Sequence, residues 1–281
     1  MLLAAAVLCS SCSPNDSAVS STSPAPDSTT TTSTTAPSTT VAPVSTTTSS
    51  TTTTITTTTT TKTVLTTATT SLPPTSPPGG TKASVVTRIA TDAKVVALTF
   101  DAGSDRGFAA EILDTLATHG IKASFGMTGK WAESNPDLLL RMVNEGHTLI
   151  NHTYDHPHME TLGTEQRVSQ LALAEEIIRE STGTTTKPYF RPPYGSYNNQ
   201  VLIDVASAGY RYSVMWTVDC LGWKGLPPSE VAARCRNALE PGAILLMHVG
   251  AASTDYAALD EILADIDRSG YRYATIKEFL P

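Results

Sequence analysis

His152-Thr153-Tyr154-Asp155-His156 places two imidazoles four residues apart. On one helical turn or in a tight loop such a pair can converge on a single metal ion. Taken alone the spacing is also that of two surface histidines, and its setting is what raises its value. The pair directly follows a short apolar run, Thr148–Asn151, and Asp101 directly follows another, Val95–Phe100. Arg191–Tyr194 closes a third such run, Asp219 and Trp223 follow a fourth, and His248 ends a fifth. Imidazole nitrogen together with carboxylate oxygen suits Zn²⁺, with Co²⁺ or another divalent ion as the alternative.

Something must hold these five points together. From about Ser84 onward, β-rich apolar runs alternate with amphipathic helical stretches. The predicted strands are Val95–Phe100, Ala123–Met127, Thr148–Asn151, Tyr189–Arg191, Tyr210–Val218, Ala243–His248 and Tyr271–Ile276. The predicted helices are Phe108–His119, Pro136–Glu145, Thr164–Ser181, Gln200–Ala208, Ser229–Leu239 and Tyr256–Ser269, several of them followed by glycine. Such alternation implies an α/β fold with a parallel sheet and right-handed crossovers, either closed as a barrel or open and doubly wound. In both, functional groups gather at the C-terminal ends of strands. That is where all five groups of polar residues stand.

The rest of the chain is of another kind. Residues 1–81 contain three charged residues (Asp16, Asp27, Lys62) and no aromatic residue. Met1–Leu8 is apolar and is followed by Cys9-Ser10-Ser11-Cys12, so residues 1–12 resemble a secretory or lipoprotein signal with Cys12 as the lipidated position. The run is short and no Lys or Arg precedes it, which leaves open a start upstream of this Met1. Residues 13–82 are Thr/Ser/Pro-rich and predict a disordered, extended stalk that gives reach and carries no chemistry. The net charge of −7 and the lack of a basic patch argue against nucleic acid as a partner. No apolar run approaches the roughly 18 residues of a membrane span, so contact with a membrane is expected only through the lipid anchor.

Thr99-Phe100-Asp101, His152-Thr153-x-x-His156, Arg191-Pro192-Pro193-Tyr194, Asp219-x-x-x-Trp223 and Leu246-Met247-His248 resemble, in order and spacing, the five motifs of the polysaccharide deacetylases. This is the NodB-homology group, carbohydrate esterase family 4. The resemblance implies a catalytic domain over residues 88–281, built as a distorted (β/α) barrel of about seven parallel strands. It also implies metal-dependent removal of acetyl groups from a polysaccharide. By that analogy Asp101 is the general base, His152 and His156 hold the metal, and Arg191 pairs with Asp101 and keeps it ionised. His248 protonates the departing amine, and Asp219 belongs with the catalytic group by its motif. The oxyanion would sit against the metal and the backbone N–H of Tyr194, while Trp223 and Leu246 wall a slot for the acetyl methyl.

Two positions depart from the family pattern. Its first motif ordinarily reads Thr-Phe-Asp-Asp-Gly, with the second Asp as third metal ligand; here that residue is Ala102. Either Asp105 reaches in from the same loop, or water fills the place, or metal is held less tightly. Many relatives also carry an Asp just before the motif-four Trp, bonded to the catalytic His; here it is Gly222. The tuning of His248 then falls to another carboxylate or is absent. His119, His147 and His158 read as structural or surface residues, and Trp131 and Trp216 as packing residues or sugar contacts. Cys220 and Cys235 are candidates for a disulfide in an exported protein. The leading expectation is an exported deacetylase of cell-wall polysaccharide, peptidoglycan first, with chitin and xylan as alternatives. Its rivals are a carbohydrate-binding relative silenced at Ala102 and a small-molecule amidohydrolase on the same fold.

Overall fold

The computed structural model describes residues 81–280 apart from Ser104. The expected signal over 1–12 and nearly all of the stalk over 13–82 lie outside the described residues. In chain order the elements are β1 (Ser84–Val86), β2 (Val95–Ala102), α1 (Ala109–Thr118), β3 (Ser124–Met127), α2 (Gly129–Ser134), α3 (Pro136–Asn144), β4 (Thr148–Asn151), α4 (Thr164–Thr182), β5 (Tyr189–Phe190), α5 (Asn199–Ser207), β6 (Tyr212–Val214), β7 (Val218–Asp219), α6 (Pro228–Asn237), β8 (Ala243–His248), α7 (Asp255–Arg268) and β9 (Arg272–Tyr273).

All strand pairs are parallel, in the order β1-β6-β5-β4-β3-β2-β8-β7, with β9 paired to the start of β2. The expected strand over Tyr210–Val218 is two strands. β6 pairs with β1 and β5 near one end of the order, and β7 pairs with β8 at the other. Only Met215, Trp216 and Thr217 separate them. Three linking residues reach about 10–14 Å at full extension, so the two ends of the sheet must lie close. The sheet is therefore curled into the expected distorted barrel. The fold also begins ahead of residue 88, because β1 pairs with β6 and Ala83 is buried.

Both faces of the curled sheet are covered, as parallel strands require, and every residue of β2 is buried. Side chains alternate between the two faces. Val96, Leu98 and Phe100 join the core beneath the helices, where Phe100 stacks on Phe125, while Ala97 joins an inner cluster with Ile150, Tyr189 and Ile244. The period of two then aims the chemistry. Asp101 has the parity of Ala97, His152 that of Ile150, Arg191 that of Tyr189, and His248 that of Ile244. Four residues from four strands are thus directed to the barrel interior, just where each strand ends.

Helices α1 and α3 to α7 match expectation to within a residue or two. α4, for instance, ends at Gly183 with φ of 72°, a conformation that glycine adopts without penalty. The short α2 escapes prediction because it opens on Gly129; Thr128 caps it by accepting the N–H of Trp131 at 3.2 Å.

Candidate active site

Asp101 is the centre of the site. Its side chain is nearly inaccessible, and Oδ1 accepts a hydrogen bond from Arg191 Nη1 at 2.7 Å. Arg191 is wholly buried, and its fork is fixed by donation to the carbonyls of Val214 (Nε, 2.9 Å) and Met215 (Nη2, 3.3 Å). Burial by itself would raise the Asp101 carboxyl. Arg191, with His152 and His248, outweighs that effect and holds it below the ordinary value of 3.8, so it is ionised at neutral pH.

His152 is buried beside it, with Nε2 at 3.6 Å from Asp101 Oδ2. Its Nδ1 lies 2.9 Å from the carbonyl of Arg191. A carbonyl can only accept, so Nδ1 carries the proton and Nε2 presents a lone pair. The His156 ring stands at 4.8 Å from that of His152, nearly perpendicular to it. Burial lowers the pKa of both rings, and for His156 burial and then the neighbouring His152 push it to about 4. Both imidazoles are therefore neutral, the form that ligates metal.

The segment carrying the pair is strained. Thr153 and His156 have positive φ (67° and 63°), as do Tyr194 (59°) and Leu221 (64°), all four within or beside the site. Each such residue costs about 1–3 kcal/mol and persists only where its surroundings fix it. Here Asn151 Oδ1 accepts from Thr153 N at 2.9 Å and Thr153 Oγ1 accepts from His156 N at 3.1 Å. Asn151 is itself held by donating to the Leu171 carbonyl and to Tyr210 Oη. Sequence reasoning passed over Asn151, which reads simply as the last residue of an apolar strand.

Asp219 lines the same cleft as Asp101 and the histidines and acts on His248 through its charge. Its carboxylate accepts the indole N–H of Trp223 at 3.0 Å and the N–H of Leu221 at 2.9 Å, so it aims the Trp223 ring. Trp223 is half exposed, 6.1 Å centroid to centroid from His248, and Leu246 is buried. Tyr194 is exposed, its ring edge-on to His156 and stacked on His158 at 4.1 Å. Asp101, His152, His156, Trp223, Leu246 and His248 all line one cleft of about 390 Å³.

His248 carries the remaining functional group. Burial would lower its pKa, yet Asp255, Asp101 and Asp219 together raise it above the ordinary 6.5. Asp255 lies on α7 and was not foreseen; it is wholly buried, with Oδ2 at 3.6 Å from His248 Nδ1. Cys220 and Cys235 form a disulfide between the end of β7 and α6.

Asp105 lines the same cleft as the two histidines. Its Oδ1 accepts the N–H of Ala251 at 2.9 Å, tying the loop after β2 to the loop after β8, while Trp131 Nε1 donates to its carbonyl. Among the described residues no three His, Cys, Asp or Glu side chains form a metal-binding group. The donor set fits a metal ion held by two neutral imidazole nitrogens, with its other positions open to water and substrate. Ala102, buried at the end of β2, has nothing to add to it.

Residues 88–213 match the family model described as polysaccharide deacetylase. A peptidoglycan-N-acetylglucosamine deacetylase from Bacillus cereus is 34% identical over 184 residues, which cover 64% of this chain and 66% of that protein, just under two thirds of its length. A peptidoglycan-N-acetylmuramic acid deacetylase from Bacillus subtilis is 32% identical over 194 residues, covering 68% of this chain and 73% of the other. Among solved structures, a pseudoenzyme of carbohydrate esterase family 4 from Bacillus anthracis superposes with a TM-score of 0.65 at 30% identity, covering 70% of this chain and 69% of that one.

Proposed function

The chain belongs to the polysaccharide deacetylase family, carbohydrate esterase family 4, and from that premise we propose that it is an exported, metal-dependent hydrolase removing N-acetyl groups from a cell-wall polysaccharide, peptidoglycan foremost. The observation that carries this is the grouping of Asp101, its buried partner Arg191, two neutral imidazoles and His248 around one cleft.

His152 and His156 would hold the metal, Zn²⁺ by its preference for nitrogen donors, with Co²⁺ as the alternative. When bound, the ion lowers the pKa of a coordinated water and polarises the acetyl carbonyl. Asp101, kept anionic by Arg191, takes a proton from the attacking water. The water oxygen bonds to the acetyl carbon, and the backbone N–H of Tyr194 would donate to the oxyanion. His248 then gives its proton to the nitrogen as the carbon–nitrogen bond breaks, leaving acetate and a free amine. Trp223 and Leu246 form the apolar wall for the methyl group. The exposed rings of Tyr194 and Trp223 offer faces for sugar rings at the cleft mouth.

Export is supported by the Cys220–Cys235 disulfide, which belongs to an oxidising compartment. Lipidation at Cys12 and a reach-giving stalk would suit action on the cell's own wall. Ala102 favours a second reading, a carbohydrate-binding relative without turnover. Acetate release from peptidoglycan and from a chitin oligomer, compared between wild type and Asp101→Asn, separates the two. The deacetylase reading expects release from wild type alone. Tight sugar binding without acetate on either substrate would establish the binding module instead.

A further inference from the structure

We propose that Asp255 is the carboxylate that positions His248, and that residue 222 is glycine because Asp255 occupies the space its side chain would need. This rests on the deacetylase reading and extends it to a residue outside the five motifs.

Asp255 opens α7 and is completely buried, and among the described residues its ion-pair partner is His248. Among the described residues the hydrogen bonds of its carboxylate go to groups beside His248. Oδ2 accepts the backbone N–H of His248 and the hydroxyl of Ser253, both at 2.8 Å, and Oδ1 accepts the N–H of Gly222 at 3.2 Å. The same Oδ2 faces His248 Nδ1 at 3.6 Å, and that nitrogen is buried with no hydrogen bond of its own. A small rotation of the imidazole closes this gap. With Nδ1 turned to Asp255, Nε2 is the nitrogen left for the cleft.

The fit to Gly222 is exclusive. A Cβ at 222 would lie 2.3 Å from Asp255 Oδ1, 2.4 Å from its Cγ and 2.6 Å from its backbone nitrogen. Such distances are collisions, and two of the three atoms are not the free end of a flexible chain. A carboxylate can therefore approach His248 from residue 222 or from residue 255, but not from both. This chain carries glycine at 222 and holds the second. The other titratable groups around His248 are Asp101 on β2, Asp219 on β7, and His152 and His156 after β4. Of these, Asp255 is the one placed against Nδ1.

The test uses Asp255→Asn, Gly222→Asp and the exchange Gly222→Asp/Asp255→Gly in the full chain. Two readouts are taken, acetate-release kinetics across pH and the imidazole NMR titration of His248, with thermal melts as the fold control. Asp255→Asn is expected to lower kcat at least about tenfold with KM nearly unchanged, and to move the His248 midpoint down by about one pH unit. Gly222→Asp alone is expected to be as damaging, and the exchange to restore most of kcat and the midpoint. Wild-type kcat and midpoint in Asp255→Asn would overturn the proposal. So would a folded exchange variant with no recovery. If the wild type releases no acetate, the deacetylase reading fails separately, and the His248 midpoint still decides the role of Asp255.

Discussion

Asp101 and His248 are register partners on the adjacent parallel strands β2 and β8. Neighbouring strands run about 4.8 Å apart, and both residues have the parity that faces the barrel interior. The proposed base and the proposed acid therefore stand side by side on two hydrogen-bonded strand ends, one held below its ordinary pKa and the other above it. Groups whose environments push their pKa values apart in this way are what acid–base catalysis at neutral pH needs.

A pH profile follows from those two shifts. The proposed mechanism requires Asp101 ionised and His248 protonated. The acid limb of kcat/KM is expected below the ordinary carboxylate value of 3.8, unless acid unfolding intervenes first, and the alkaline limb above the ordinary imidazole value of 6.5. An alkaline limb below that value would show that His248 is not the acid.

Arg191 and Asp101 are a buried pair, so removing one partner strands the other's charge. Arg191→Met is expected to lower stability by about 3–5 kcal/mol and to cut kcat. Because the Asp101 pKa is depressed in the folded state, its contribution is complete above the unfolded value of 3.8 and is lost as pH falls through the folded one. The gap in stability between wild type and Arg191→Met, followed by denaturant melts, should accordingly narrow on acidification.

Metal dependence is expected to show the two-imidazole site. His156→Ala should weaken Zn²⁺ binding at least about tenfold and abolish turnover, and a chelator should remove wild-type activity reversibly. Asp105→Ala should leave metal affinity unchanged, since that carboxylate is engaged with Ala251. Isothermal titration with Zn²⁺ checks the two affinities and acetate release checks turnover and the chelator effect; a loss of affinity in Asp105→Ala would make it a ligand.

The disulfide links positions 15 residues apart, a closure that contributes about 3 kcal/mol. Cys235→Ser, and equally reduction of the wild type, should lower stability by about that amount. Cys220 follows Asp219 directly, so Trp223 should also become more mobile, visible as a change in its fluorescence.

Much of the site was legible because parallel α/β folds present chemistry at strand ends. A polar residue of catalytic type after an apolar run therefore carries meaning, and Asp101, His152, Arg191 and His248 all follow that rule. Asp255 does not. It sits seven residues beyond His248 at a helix start, where an acidic residue is ordinary, and only the folded chain sets it against the imidazole. Asn151 was hidden in the same way by its place inside a strand. The β-rich text over Tyr210–Val218 is continuous, so nothing local marks the crossing from one edge of the sheet to the other. For Asp105, nearness in sequence to the missing ligand says nothing of direction, and the fold adds its bond to Ala251.

The central claim is that this cleft turns over substrate despite Ala102. Zn²⁺-loaded wild type and Asp101→Asn, incubated with peptidoglycan, test it most directly through acetate released and free amines formed. The account predicts equal amounts of the two products from wild type and a rate about a thousandfold lower for Asp101→Asn. No acetate from metal-loaded wild type, or the same rate from both proteins, would contradict it.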